Sequence, residues 1–404
     1  MVPEPKVRFK RGDGSSYPAW TVGKLGDITE KVDRKAPKGS TAPVMMVSQG
    51  KGFIYQADKY SRENAGQSLK NYTLLKQGEF AYNHGASKAK PYGVAYCLTE
   101  EPEARVPFVY HTFRMADGVN PYWHEALNTS KMDRQLKRMV SSGARMDGLL
   151  NINYDTYMDV DVNIPCIEEQ QKISDFLSSV DEIISTSEQE VANLETQKKA
   201  VMKKIFSQEV RFKKADGSDF PEWEEHRIGD ICKTYSGGTP KAGNDEYYGG
   251  DIPFIRSGEI HSDSTELFLS KTGMNNSSAK MVAIGDIIMA LYGATSGEID
   301  ISRIEGAINQ AILCIMPKED YDKKYIVEVF RNFKDEILKT YLQGGQGNLS
   351  AQIVQGLSFA FPCLEEQRLI ADFLSDFDEA IAAAKKELDL WKELKKGLLQ
   401  QMFV

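Results

Sequence analysis

Residues 7–20 read VRFKRGDGSSYPAW, and residues 210–223 read VRFKKADGSDFPEW. The likeness runs on to Gly26-Asp27-Ile28 and Gly229-Asp230-Ile231, with 12 identities over the 22 positions from 7 to 28 at an offset of 203. A second match closes each copy: PCIEEQ at 165–170 returns as PCLEEQ at 362–367, and 13 of the 20 positions from 165 to 184 are identical at an offset of 197. An internal repeat of this kind decides architecture before any local propensity is read. Between the matched ends the halves diverge, apart from weak echoes such as Gly85-Ala86-Ser87 against Gly293-Ala294-Thr295. A similar frame around two different middles is expected where the frame holds geometry and the middles read different things.

The closing match of each copy opens a long helix. The first carries Ile173, Leu177, Val180, Ile184, Ser187, Val191, Leu194, Lys198, Val201 and Ile205. The second carries, 197 residues on, Ile370, Leu374, Phe377, Ile381, Ala384, Leu388, Trp391, Lys395, Leu398 and Met402. Both series alternate steps of four and three, the spacing of a coiled-coil seam. Pro165 and Pro362 stand just before the helices, and Glu168-Glu169 and Glu365-Glu366 fall in their first turns, where proline and acidic residues suit a helix start. A helix of roughly 40 residues is about 60 Å long and cannot bury such a seam alone. The nearest partner for each is the other. The predicted fold is α+β: two pseudo-repeated globular domains joined by two long antiparallel coiled-coil helices. The expected boundaries are 1–165 and 208–364 for the globular domains, and 166–207 and 365–404 for the helices. Within the domains, Val44–Val47, Phe80–Tyr82, Ile252–Ile255 and Asp286–Ala290 have strand-like content. A helical stretch from about Pro121 to Val140 is matched by Lys323 to Leu342.

The composition, 41% apolar and 27% charged, is that of a soluble globular protein. The best apolar run, Met281 to Ala294, is short and interrupted by Asp286, so it reads as a buried strand and not as a membrane span. The N-terminus lacks a signal-peptide core, so the expected location is cytoplasmic. The five cysteines form no C-x-x-C pair and are expected to be reduced thiols. The net charge of −8 is unevenly spread: residues 1–165 carry +5 and residues 208–364 carry −7. Charge therefore supports nucleic-acid binding only locally.

No catalytic constellation stands out. The chain has no Walker motif, no dinucleotide fingerprint, no H-E-x-x-H and no nucleophile elbow. Its five histidines have no metal-ligand spacing, so no metal site and no bound cofactor are expected. Asn120-Pro121-Tyr122-Trp123 faintly resembles the catalytic loop of amino-methyltransferases but lacks its second proline and a preceding glycine-rich loop. Asp33-Arg34-Lys35 and Asp322-Lys323-Lys324 match the tail of a nuclease motif, without an upstream acidic partner.

A reader of DNA needs cations for phosphates and forked or amide side chains for base edges. In the first half the candidates are Lys31, Arg34, Lys35 and Lys38 in a loop, His84, Ser87 and Lys88 after a strand, and the run Lys131, Arg134, Lys137, Arg138 and Arg145. On a helix, positions 131, 134 and 138 share a face. In the second half Lys233, Tyr235, Ser236, Thr239 and Lys241 surround a Gly-Gly turn, Arg256-Ser257 end a strand, Tyr292 and Thr295 occupy the repeat position of the His84 loop, and Gln343 and Gln346 offer two amides.

The duplicated frame, the two P-C-[IL]-E-E-Q helix starts and the stretch GGDIPFIRSGEI at 249–260 together resemble the specificity subunit of Type I restriction–modification systems, over essentially the whole chain. That resemblance implies a non-catalytic subunit whose two target-recognition domains read the two parts of an interrupted asymmetric sequence in double-stranded DNA. It implies two methyltransferase (modification) subunits and endonuclease/translocase (restriction) subunits as partners. S-adenosylmethionine, ATP and magnesium (Mg) would belong to those partners. The acidic second half departs from the simplest expectation, so its DNA face must be small or its acids must lie elsewhere. Two other readings are a fused, self-contained restriction–modification enzyme, whose methyltransferase motifs are missing, and a scaffold that binds proteins and no DNA.

Overall fold

The computed structural model describes residues 5–59, 66–85, 87, 90–140, 150–342 and 348–403. The chain divides into two compact units. One comprises residues 1–187 and 387–404, the other residues 188–386. The two long helices, Ile167–Phe206 and Leu364–Met402, are each continuous and each contribute to both units.

The repeat frame makes the same framework in both units. In the first, Thr21–Lys24 pairs antiparallel with Asp161–Ile164. In the second, Glu224–Arg227 pairs antiparallel with Ser358–Phe361, the same positions at the two repeat offsets. A four-stranded sheet follows. Its order in the first unit is Thr29–Lys31, His111–Met115, Phe80–Asn83, Val94–Cys97. In the second unit the order is Cys232–Ser236, Ile312–Pro317, Ile287–Ala290, Ile299–Ile301, and the chain visits the positions in the same sequence. The shared frame therefore reaches further into the middles than the sequence echoes indicate. What differs is the rest. The first unit adds a hairpin, Met45–Ser48 with Gly52–Tyr55, and the pair Thr73–Lys76 with Glu103–Val106. The second adds a mixed sheet in which Phe254–Ile255 runs parallel to Ala307–Ile308.

Each unit has its own core. In the first, Phe80, Phe113, Tyr122, Trp123 and Tyr157 are almost fully buried, and Ile173 and Leu177 of the first long helix join them together with Met402, the last residue of the second, and Phe403 just after it. In the second, Tyr325 and Phe330 are buried with Met202 and Ile205 of the first long helix and Ile370 and Leu374 of the second. Rising numbers on one helix meet falling numbers on the other in both units, so the helix segments pair antiparallel. Every seam position from Ile173 to Leu194 and from Ile370 to Trp391 is buried or half-buried.

The expected helix from Pro121 to Val140 is two helices, Asn120–Ala126 and Ser130–Met139. Thr129 ends the continuity by capping the second, its hydroxyl accepting from the Met132 amide. The counterpart Lys323–Leu342 is one helix of 20 residues. The two motif near-misses have structural explanations. Asn120-Pro121 opens its helix, with proline in the first turn, and the Asp322 carboxylate accepts from the Tyr325 amide at the start of the other.

The Gly237-Gly238 turn is a close backbone approach. A Cβ on Gly237 would stand 1.8 Å from the Ile308 carbonyl oxygen, whereas one on Gly258 meets nothing within 4 Å. Gly237→Ala is expected to cost about 1–3 kcal/mol through forced backbone displacement, and Gly258→Ala close to nothing. Paired urea melts of the two variants check this.

Candidate nucleic-acid interface

The two motif ends of each half, apart in sequence, meet in space. Arg8 donates through Nε and Nη2 to the Glu169 carboxylate at 3.0 and 2.8 Å, and the Trp20 indole N–H donates to the same carboxylate at 2.8 Å. In the second unit Arg211 donates to Glu366 at 3.3 and 2.9 Å, and Trp223 at 3.1 Å. Both glutamates are 0% exposed. The following glutamine finishes the joint. Gln170 donates to the Pro165 carbonyl and accepts from the Val119 amide, and Gln367 donates to the Pro362 carbonyl and accepts from the Asp322 amide. Each globular unit is thus clamped to the start of a long helix by residues drawn from both ends of the frame. The two motifs of each half are read separately in sequence and meet only in the fold. The available signal was that arginine, tryptophan and glutamate all recur in both copies.

Several DNA-facing candidates are engaged inside the protein. Arg34 forms a two-pronged pair with the buried Glu79 carboxylate at 2.6 and 2.5 Å, and that bond raises its pKa. Arg256 is held by Glu259 and Glu266, each at 2.7 Å, and its pKa is likewise raised by those bonds. Lys131 donates to the Asn163 side chain at 2.6 Å, and burial pushes its pKa down. Lys35 donates to the Asn71 carbonyl at 2.7 Å. Ser87 is hydrogen-bonded to Gln49. Thr239 donates to Gln310 at 2.6 Å and Tyr235 to the Met281 carbonyl at 2.7 Å; burial raises the Tyr235 pKa. Tyr292 packs against the core of its unit, and Ser236, Ser257 and Thr295 are half-buried. Lys88, Arg145, Gln343 and Gln346 lie outside the described residues.

His84 is structural. Its ring nitrogens lie 2.8 and 3.0 Å from the carbonyl oxygens of Leu150 and Val109. It stacks on His111 at 4.9 Å, and the His111 Nε2 lies 2.8 Å from the Ile152 carbonyl. Burial, with smaller contributions from His84 and Lys31, lowers the His111 pKa from 6.5 to about 4. The folded protein therefore keeps His111 neutral while the unfolded chain takes up a proton. Stability is fully present above about pH 6.5 and is lost as pH falls toward 4, by roughly 3 kcal/mol from this group. His111→Gln is expected to flatten that part of the pH dependence of unfolding, measured by urea melts between pH 4 and 7.

The remaining cations are exposed. On the helix Ser130–Met139, Met132 and Leu136 face the core while Arg134, Lys137 and Arg138 face outward. These three, with Lys38 in the first unit and Lys233 and Lys241 in the second, make no hydrogen bond or ion pair among the described residues. Lys31 lies over the Tyr154 ring at 4.9 Å with its ammonium exposed. Surface cations without a carboxylate partner are what a polyanion would engage at least cost. Among the described residues no group of His, Cys, Asp and Glu could hold a metal ion, and no helix is long and apolar enough to cross a membrane.

Residues 221–390 match the family model described as the Type I restriction modification DNA specificity domain. The chain is 24% identical over 278 residues to the Type I restriction enzyme MjaVIII specificity subunit of Methanocaldococcus jannaschii, covering 64% of this chain and 65% of that one. It is 24% identical over 235 residues to the Type I restriction enzyme EcoR124I/EcoR124II specificity subunit of Escherichia coli, covering 55% of this chain and 56% of that one. In both cases the match spans less than two thirds of the relative's length. Its fold is similar to that of a Type I restriction–modification S subunit from M. genitalium, with a TM-score of 0.57, 15% identity and coverage of 100% of this chain and 99% of that one. It is also similar to a chain from a structure of complex assembly and conformational transition in the type I R-M system, with a TM-score of 0.59, 16% identity and coverage of 96% and 98%.

Proposed function

We propose that this chain, whose residues 221–390 match the model of the Type I restriction modification DNA specificity domain, is the non-catalytic specificity subunit of such a system and reads a bipartite, asymmetric DNA target with one half-site per unit. The observation that carries this reading is the framework built twice, with one strand order, around two dissimilar additions. A duplicated support bearing unlike readers suits a target made of two unlike parts. The exposed cations supply the phosphate contacts that position each reader, and the additions supply base contacts. The long helices act as the spacer between readers and as the dock for two methyltransferase subunits, with endonuclease/translocase subunits completing the complex. S-adenosylmethionine, ATP and Mg belong to those partners.

The test is genome-wide methylation mapping in cells with and without this gene. The expected result is one interrupted methylated motif that disappears with the gene. Lengthening both long helices by whole heptads is expected to change the gap and leave both half-sites intact. Loss of no motif, or methylation by the purified chain alone, overturns the proposal.

A further inference from the structure

Each helix seam is interrupted by a cation, buried at Lys198 and half-buried at Lys395. Lys198 is 8% exposed, and its ammonium lies 2.7 Å from Asp378 on the second long helix and 3.0 Å from Glu328 on the helix Lys323–Leu342. In the first unit Lys395 lies 2.8 Å from Asp181 on the first long helix and 3.1 Å from Glu125 on the helix Asn120–Ala126. The two clasps are the same positions at the repeat offsets. Each long helix therefore carries one aspartate and, 17 residues later, one lysine.

A lysine in an apolar seam is costly, because its charge must be desolvated and then repaid by well-placed acids. Seams keep such residues where they discriminate between registers. The surrounding sequence bears this out. Sliding the helices by one heptad within the second unit sets Lys198 against Ala371 or Lys385, and Asp378 against Val191 or Ile205. The first arrangement buries unpaired charges, and the second adds two ammonium groups face to face. The apolar seam positions, by contrast, meet other apolar positions after such a slide and resist it little.

We infer that Lys198 and Lys395 are register keys: positioning residues that fix which residue of one long helix stands opposite which residue of the other, and thereby the gap between DNA half-sites. The gap-setting clause rests on the function proposed above; the register clause does not.

The test uses the full chain with Cys166→Ser and Cys363→Ser. Glu195 and Lys385 form a flanking ion pair at 2.7 Å, so Glu195→Cys with Lys385→Cys reports the native register by disulfide formation. Glu188→Cys with Lys385→Cys reports a one-heptad slide, since the slide sets position 188 against Lys385 in place of Glu195. In the otherwise unaltered seam only the native pair cross-links. Removing both clasps whole (Lys198→Met, Lys395→Met, Asp181→Asn, Asp378→Asn, Glu125→Gln, Glu328→Gln) is expected to leave helicity intact, because neutral replacement of every member of a buried ion pair is often neutral or stabilising. The slid pair should then cross-link in a yield comparable with the native one, and the methylated motif should acquire a second gap class. Lys198→Arg with Lys395→Arg should restore the single register. Native cross-links alone in the clasp-free chain overturn the inference. Should that chain not fold, Lys198→Gln and Lys395→Gln in place of the two methionines supply the same decision, through gain or absence of the slid cross-link. A slid register with an unchanged motif leaves the keys standing and refutes the spacer reading of the helices instead.

Discussion

Glu366→Ala is expected to destabilise the second unit by about 3–5 kcal/mol, the cost of leaving a buried charge without its partner. The Glu366 carboxylate is wholly buried and receives both the Arg211 guanidinium and the Trp223 indole N–H. Its removal leaves the Arg211 guanidinium with only the exposed Glu222 as an acidic partner, at 3.6 Å, and strands the indole donor. The Arg211 pKa, raised mainly by its bond to Glu366, records the strength of that pairing. Urea unfolding followed by tryptophan fluorescence reads the effect directly, because Trp223 reports on the joint. Pairing Glu366→Ala with Arg211→Met should cost distinctly less than the sum of the single changes, since the double variant has no orphaned charge. Additive losses would mean that the two side chains are not coupled. Glu169→Ala should behave the same way in the first unit, where Arg8 and Trp20 make the same contacts.

Replacing Arg134, Lys137 and Arg138 together by alanine is expected to weaken DNA binding roughly 100-fold near 0.1 M salt and to lower the salt slope by about one per residue, as loss of three phosphate contacts requires. All three lie on the outward face of a helix whose inward face, Met132 and Leu136, is untouched, so stability should change little. The weakening should be alike on target and unrelated DNA, because phosphate contacts carry no sequence information. Fluorescence anisotropy against salt concentration, with the methyltransferase subunits present, decides the matter. An unchanged salt slope would remove this face from the interface. Arg34→Ala, by contrast, should chiefly cost stability, through the orphaned Glu79.

The long-range architecture was legible because its signals are periodic or repeated. The 4-3 alternation from Ile173 to Ile205 could only be a helix seam, and its copy at Ile370 to Met402 supplied the partner. The candidate site was less legible, because sequence displays a charge but not the group it faces. Arg34 meets Glu79 45 positions away, and Arg256 meets Glu266 across a turn. Both look in sequence like Arg134, which has no such partner among the described residues. Burial of Lys131 beside Asn163 likewise depends on a strand far along the chain. The break between Ala126 and Ser130 was visible in principle, since Asn128-Thr129 is a capping signal set inside an otherwise helical run.

The clamps at Glu169 and Glu366 draw their charged and aromatic side chains only from the frame, and from the middles they take backbone groups, the amides of Val119 and Asp322 and the Asp320 carbonyl. The polar joint is therefore indifferent to the side chains of what is attached, provided the attached unit keeps an apolar face for Ile173 and Leu177 or for Ile370 and Leu374. A cassette excised between the inner frame strands of one half should seat in the other half without redesign of either joint. A chain fitted with the same cassette twice would fold as readily as this one and would recognise a single short word in both of its positions.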